Sequence, residues 1–212
     1  MEIVDFLFRW MHVLFGVVWV GMLYYFNFVQ TEYFKQAEPE ALADAKAKLA
    51  PRALGWFRWA AMLTLISGVI LLVGVHHRSL MNDYIILGAL LGILMFLNVW
   101  LVIWPNQKIV LGMVEGDAAV AAKKAALASR TNVLFSAPML FCMLGSPHLG
   151  YVADYLLVAQ GGGLGLIAAL ALTVLLQVNA IFGKLGPIAS IRGVIHMSLA
   201  LTAVFFLLLL FL

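Results

Sequence analysis

Six runs of apolar residues, near 5–29, 55–75, 83–104, 131–146, 162–183 and 191–212, decide what this chain can fold into. About 20 apolar residues cross the hydrocarbon core of a bilayer. The fourth run is short for a span and is expected to draw on the flanking Ser129–Asn132. Composition agrees: 65% of the 212 residues are hydrophobic and 11% charged, where a soluble domain carries about a quarter charged. The sequence therefore predicts an all-α integral membrane bundle of about six transmembrane helices, with no soluble domain large enough to fold alone. It forms a single membrane domain over 1–212, divisible into 1–150 and two further helices in 151–212.

Two polar, alanine-rich stretches separate spans. Thr31 to Arg52 holds Pro39 ahead of acidic residues, with lysines late, which are helix signals. Pro105 to Arg130 is similar and ends in Lys123, Lys124 and Arg130. Both are expected to be amphipathic helical extensions at the membrane surface. Gly161-Gly162-Gly163 reads as a loop. Eleven of the 13 Lys and Arg residues flank the first, third and fifth connections, leaving Arg9 and Arg78 for the other side. The positive-inside rule makes those connections cytoplasmic and both termini periplasmic, in the inner membrane of a bacterium. The same distribution argues against nucleic acid despite a net charge of +3, since no single basic patch forms. Glu2 and Asp5 precede the first run without a small-residue cleavage site, so it is expected to be a retained helix. Cys142 is the only cysteine, which excludes an internal disulfide and c-type haem attachment.

The chemistry concentrates on the first helix. At 100° per residue, Asp5, Arg9, His12, Gly16, Trp19, Leu23, Asn27 and Gln30 fall within about 60° of one line. Intramembrane Arg and His cost several kcal/mol unless paired or hydrated, so this stripe must face protein or a cavity. Gly16, one turn from His12, opens room for something flat or bulky. His76, His77 and His148 fall at the periplasmic end, and His196 nearer the other. A buried imidazole reads either as an axial haem ligand or as an interhelical hydrogen-bonding group. In the haem reading His12 is one ligand and His77 or His148 the second, with Arg9 and Arg78 near the propionates of a b-type haem. A bare three-histidine metal site lacks tight spacing. Asn98, Asn106, Gln107, Asn132, Gln177 and Asn179 are expected to tie helices together. Trp56, Trp59 and Trp104 sit where an interfacial belt belongs.

The same residues carry a resemblance. Arg9-Trp10-Met11-His12-Val13 runs on to Gly16, Trp19, Gly21 and Tyr25. Pro51-Arg52-Ala53-Leu54 precedes Trp56-Phe57-Arg58-Trp59. Asn98-Val99-Trp100 leads to Ile103-Trp104-Pro105-Asn106-Gln107-Lys108. Ser129-Arg130-Thr131-Asn132 continues through Pro138-Met139-Leu140-Phe141 to His148. In order over roughly 5–150, these blocks resemble the N-terminal membrane domain of the membrane-bound, cytochrome-c-linked urate oxidase (urate hydroxylase) family, while the last sixty residues match poorly. The first helix is also similar, over a shorter stretch, to HemJ-type protoporphyrinogen oxidases and CopD-like copper-resistance proteins, which bind haem.

The resemblance implies a redox setting. Members with urate oxidase activity continue into a cytochrome c domain. This chain is expected to use a separate acceptor, a cytochrome c or a membrane-associated dehydrogenase or oxidase. Three functions stand open: a b-haem electron-transfer protein; a urate-type oxidase whose anionic substrate meets Arg9, Asn106, Gln107, Arg130 and Asn132; and a cofactor-free anchor subunit of a larger respiratory or dehydrogenase complex. Lipid is a partner in each, and assembly into a homo- or hetero-oligomer is open. Asn106, Gln107, Arg130 and Asn132 fall at the opposite membrane end from His12, so one compact site cannot hold them all.

Overall fold

A computed structural model describes residues 2–78, 80–149 and 163–212. Among these no strand occurs. The elements are α1 (Glu2–Tyr24), α2 (Thr31–Gln36), α3 (Pro39–Asp44), α4 (Ala50–His77), α5 (Asp83–Leu97), α6 (Trp104–Val110), α7 (Ala118–His148), α8 (Leu164–Phe182) and α9 (Ile191–Phe211). Several run together, giving six helices long and apolar enough to cross a membrane: Ile3–Gln36, Pro39–His77, Asp83–Val110, Ala118–His148, Leu164–Phe182 and Ile191–Phe211. The all-α, six-span expectation holds. Gly161 and Gly162 lie outside the described residues.

Three π-helical segments join these pieces: Tyr25–Gln30, Ala45–Leu49 and Asn98–Ile103. Two of them stand just ahead of Pro51 and Pro105. A proline withholds the N–H that its i−4 carbonyl would receive. A π register lets the following N–H take that carbonyl instead, so the helix continues. The segment at Tyr25 has another cause. Asn27 turns its own Nδ2 onto the Leu23 carbonyl, at 2.9 Å, and so competes with its backbone N–H for that acceptor.

The polar stretches are helical, with breaks. Thr31–Gln36 and Pro39–Asp44 are separated at Ala37, which is extended. The second stretch is not one extension. α6 stops at Val110, Gly112 adopts a left-handed φ of 71°, and α7 starts afresh at Ala118. Asp117 Oδ1 accepts from the amides of Ala119 (2.9 Å) and Val120 (3.0 Å), which caps that start.

α7 spans 31 residues, so the fourth run reaches back well beyond Ser129. It is also the most enclosed span, with 67% of its apolar window buried against 17–33% for the others. Alanines at 121, 125 and 128 and serine at 136 let neighbours approach it.

The described residues group into two compact units, one of residues up to Gly74 with Phe96–Arg130, the other of Val75–Met95 with Thr131–Leu212. In the first, Phe26 meets Phe57 edge-on with centroids 5.4 Å apart. Asn27 donates to Ser129 Oγ at 2.8 Å. In the second, Asn132 Nδ2 donates to the Met95 carbonyl at 2.9 Å, and Phe141 meets Phe206 edge-on at 5.6 Å. Pro138 cannot supply an N–H to the Leu134 carbonyl. Ser198 Oγ of α9 donates to that carbonyl at 2.8 Å.

At Gly165 α8 lies tight against α9: a Cβ there would collide with the Leu208 carbonyl oxygen. Gly165→Ala should therefore cost about 1–3 kcal/mol through overpacking, read as a lowered unfolding temperature in detergent. Gly21→Ala, with nothing within 4 Å of the added carbon, should leave that temperature unchanged or raise it slightly.

Candidate functional site

The polar stripe of α1 turns inward over its second half. Trp19, Leu23 and Asn27 are buried, while Trp10, Val13, Leu14 and Val17 are exposed. Arg9 is exposed and ion-paired to Asp5 at 2.7 Å, one turn away.

His12 lies against α4. Its Nδ1 is 3.0 Å from the Thr64 carbonyl and 3.1 Å from Ser67 Oγ. A carbonyl can only accept, so Nδ1 carries the hydrogen. The Ser67 hydroxyl donates to the Leu63 carbonyl at 2.7 Å, which leaves its oxygen to accept from His12. Nε2 is then the nitrogen with the lone pair. Gly68 makes this possible, because a Cβ there would stand 2.9 Å from His12 Cε1. Gly16 faces the same helix, with Thr64 Cγ2 at 4.0 Å from its would-be Cβ. The two glycines are where α1 and α4 come together around the imidazole.

A histidine whose Nδ1–H is held by a carbonyl has the tautomer and fixed ring of an axial ligand. In those terms Nε2 of His12 is the atom that would hold a haem iron. His77 and His148 are exposed at the ends of α4 and α7 and belong to the second unit, as does Arg78 in the turn after α4. Among the described residues no group of three or more His, Cys, Asp or Glu is placed to hold a bare metal ion.

The other polar candidates separate. Asn106 Nδ2 donates to its own helix at the Val102 carbonyl, at 2.7 Å. Asn132 is bonded to Met95 in the second unit, and Gln107 is half-buried on α6. Asn98 is buried in its π-helical segment. Arg130 is buried, with its Nη1 enclosed and without a partner among the described residues. Glu32 acts on it electrostatically but is itself paired to Lys35 at 2.7 Å.

Among the described residues, enclosed side-chain atoms lacking a partner are Trp19 Nε1, Gln30 Oε1, Arg58 Nε, Trp100 Nε1 and Arg130 Nη1. All belong to the first unit, and they comprise four donors and one acceptor. Arg58 and Trp100 lie outside the residues that helical periodicity singled out. Their signal was available only in the Trp56-Phe57-Arg58-Trp59 and Asn98-Val99-Trp100 blocks. Arg58 packs over indoles, with its Cζ 3.9 Å from the Trp104 ring centre, 5.2 Å from Trp100 and 5.9 Å from Trp59.

The Asn27–Ser129 bond ties the Gln30 turn to the Arg130 turn. A double-mutant cycle of Asn27→Ala and Ser129→Ala should give a coupling of about 0.6 kcal/mol, with roughly 1.7 as the ceiling for such interhelical bonds. Unfolding in mixed micelles measures it, and strictly additive single changes would show the bond contributes nothing.

No curated protein and no solved structure matches this chain. The family model described as urate oxidase N-terminal matches residues 75–174. That match takes in α5, α6, α7 and the first part of α8, with Asn98, Asn106, Gln107, Arg130, Asn132 and His148. It runs past residue 150, further toward the C-terminus than the sequence blocks reached, and starts after α1. Over residues 75–174 the chain is thus similar to the urate oxidase N-terminal family, the one that its sequence blocks resemble.

Proposed function

We propose that this chain is a membrane redox protein that holds a b-type haem through His12 Nε2 and passes electrons to a separate partner. The observation that supports the reading is the His12 hydrogen bond to the Thr64 carbonyl. It spends Nδ1, fixes the ring and leaves Nε2 as the basic nitrogen. A haem bound there would supply a one-electron couple within the membrane. Ser67 and Gly68 would hold the imidazole in place, the first by hydrogen bonding and the second by leaving room for the ring. The partner would be a cytochrome c or a membrane dehydrogenase or oxidase.

A second reading, oxidation of urate or a similar anionic heterocycle, is favoured by Arg130 and Gln30. Their enclosed Nη1 and Oε1 offer one donor and one acceptor, which suits the carbonyl and N–H edge of such a ring. Asn106 and Asn132 are already committed to backbone carbonyls, so Arg130 carries more of this reading than the other polar residues. The two electrons removed would pass to the separate acceptor.

A reduced-minus-oxidised spectrum with a pyridine haemochrome assay on detergent-purified protein decides the first reading. About one b-type haem per chain is expected, lost in His12→Ala and spectrally shifted in Gly68→Ala, where the new methyl displaces the ring. Ser67→Ala should have the mildest effect, since the Thr64 carbonyl stays. A folded, haem-supplemented protein without haem would refute it and favour a structural subunit.

For the second reading, membranes should deplete urate absorbance when an acceptor is added, and Arg130→Gln should lower the rate at least tenfold without removing haem. Equal rates in the two proteins would exclude Arg130 from substrate binding.

A further inference from the structure

The Arg58 cluster is not used by either reading. Arg58 lies on α4, and Trp100, Trp104 and Lys108 lie along the third span. The guanidinium stacks on Trp104, and Lys108 Nζ sits 5.8 Å from the same ring centre. Neither cation has a carboxylate partner among the described residues. Two positive charges thus share one indole with no carboxylate among the described residues to neutralise them. Arg58 Nε and Trp100 Nε1 are enclosed donors without acceptors among the described residues. The rim is apolar and outward-facing: Trp56, Trp59 and Leu101 are 70%, 54% and 68% exposed.

Indoles at a span end belong at headgroup depth, with lipid beside them. This is also the end that carries most of the basic residues, where anionic lipids concentrate their attraction for Lys and Arg. Guanidinium is the side chain best matched to phosphate oxygens, and stacking on Trp104 holds its plane ready. An anion at this position would neutralise the cation pair and offer acceptors to the unsatisfied donors, while its acyl chains would run along Trp59 and Leu101.

We propose that Arg58, Trp100, Trp104 and Lys108 form a binding site for the phosphate of an anionic phospholipid in the leaflet at that end of the bundle. A soluble phosphate would present the same oxygens but would gain nothing from the exposed Trp59 and Leu101.

The test uses the full chain in neutral detergent, titrated separately with phosphatidylglycerol, phosphatidylcholine and inorganic phosphate. Thermal unfolding and native mass spectrometry are the readouts. Phosphatidylglycerol should raise the unfolding temperature by several degrees and remain bound at about one per chain, while the other two should not. Arg58→Gln should lower retention at least fivefold, and Arg52→Gln, an exposed arginine in the same connection, should not. Protection by inorganic phosphate equal to that by phosphatidylglycerol would overturn the lipid assignment in favour of a soluble anion. Equal loss in both arginine variants would overturn the site in favour of diffuse charge. If Arg58→Gln fails to fold, the Trp104→Leu, Lys108→Gln double variant replaces it, and unchanged lipid retention there would overturn the proposal.

Discussion

In a hydrocarbon environment a backbone carbonyl that loses its N–H has no water to turn to, and this constraint organises the helices of this chain. Every interior proline has to be answered. At Pro138 the answer is tertiary, because Ser198 of α9 donates to the Leu134 carbonyl that the proline leaves open. At Pro51 and Pro105 the answer is local, a π-helical register that shifts the ladder by one residue. The tertiary solution fixes α9 against α7 at one height, while the local ones re-aim the side chains that follow. Asn98, Trp100, Asn27 and Gln30 all sit in π-helical segments. The price of keeping the backbone satisfied is thus also the means of pointing polar groups inward.

The two units use polar residues differently. In the second, Asn132, Ser198 and Asn82 each donate to a backbone carbonyl at 2.8–2.9 Å. Their role is to join helices, worth modest energies each. In the first, Asn27 serves that purpose, but Trp19, Gln30, Arg58, Trp100 and Arg130 keep enclosed atoms without partners among the described residues. Buried unsatisfied donors are costly, and natural proteins retain them where something else meets the need. A scaffold alone would gain from replacing Arg58 or Arg130 with apolar residues. That imbalance sets the polar groups of the first unit apart from those of the second.

The spans were legible because a bilayer imposes length and hydrophobicity so strictly. Helical periodicity also found the inward face of α1, since Trp19, Leu23 and Asn27 lie on the line it drew. The π registers were not legible, because periodicity assumes a constant 100° and a proline can be answered in several ways. The break at Gly112 was hidden by the helix-forming alanines after it. Gly68 carries no sequence signal of its own. Its value depends on His12 lying across it, a tertiary fact that spacing within either helix cannot express. Arg58 was read as a basic residue of the flanking loop, which describes its charge but misses its stacking on Trp104.

The family match and the chemistry divide along the chain in a way that constrains mechanism. Residues 75–174 carry the urate oxidase N-terminal signature, and with it Trp100, Trp104 and Arg130. His12, Thr64, Ser67 and Gly68 precede that stretch. The helices outside the match therefore supply the entire hydrogen-bonded setting of the imidazole, while the matched helices supply Arg130 and the indoles beneath Arg58. A redox role through His12 requires α1 and α4 together, since the ring is held by one and carried by the other. The matched stretch alone could retain the Arg130 donor but not the histidine. The proposed electron transfer and the proposed recognition of an anion would thus rest on separate residues of this sequence.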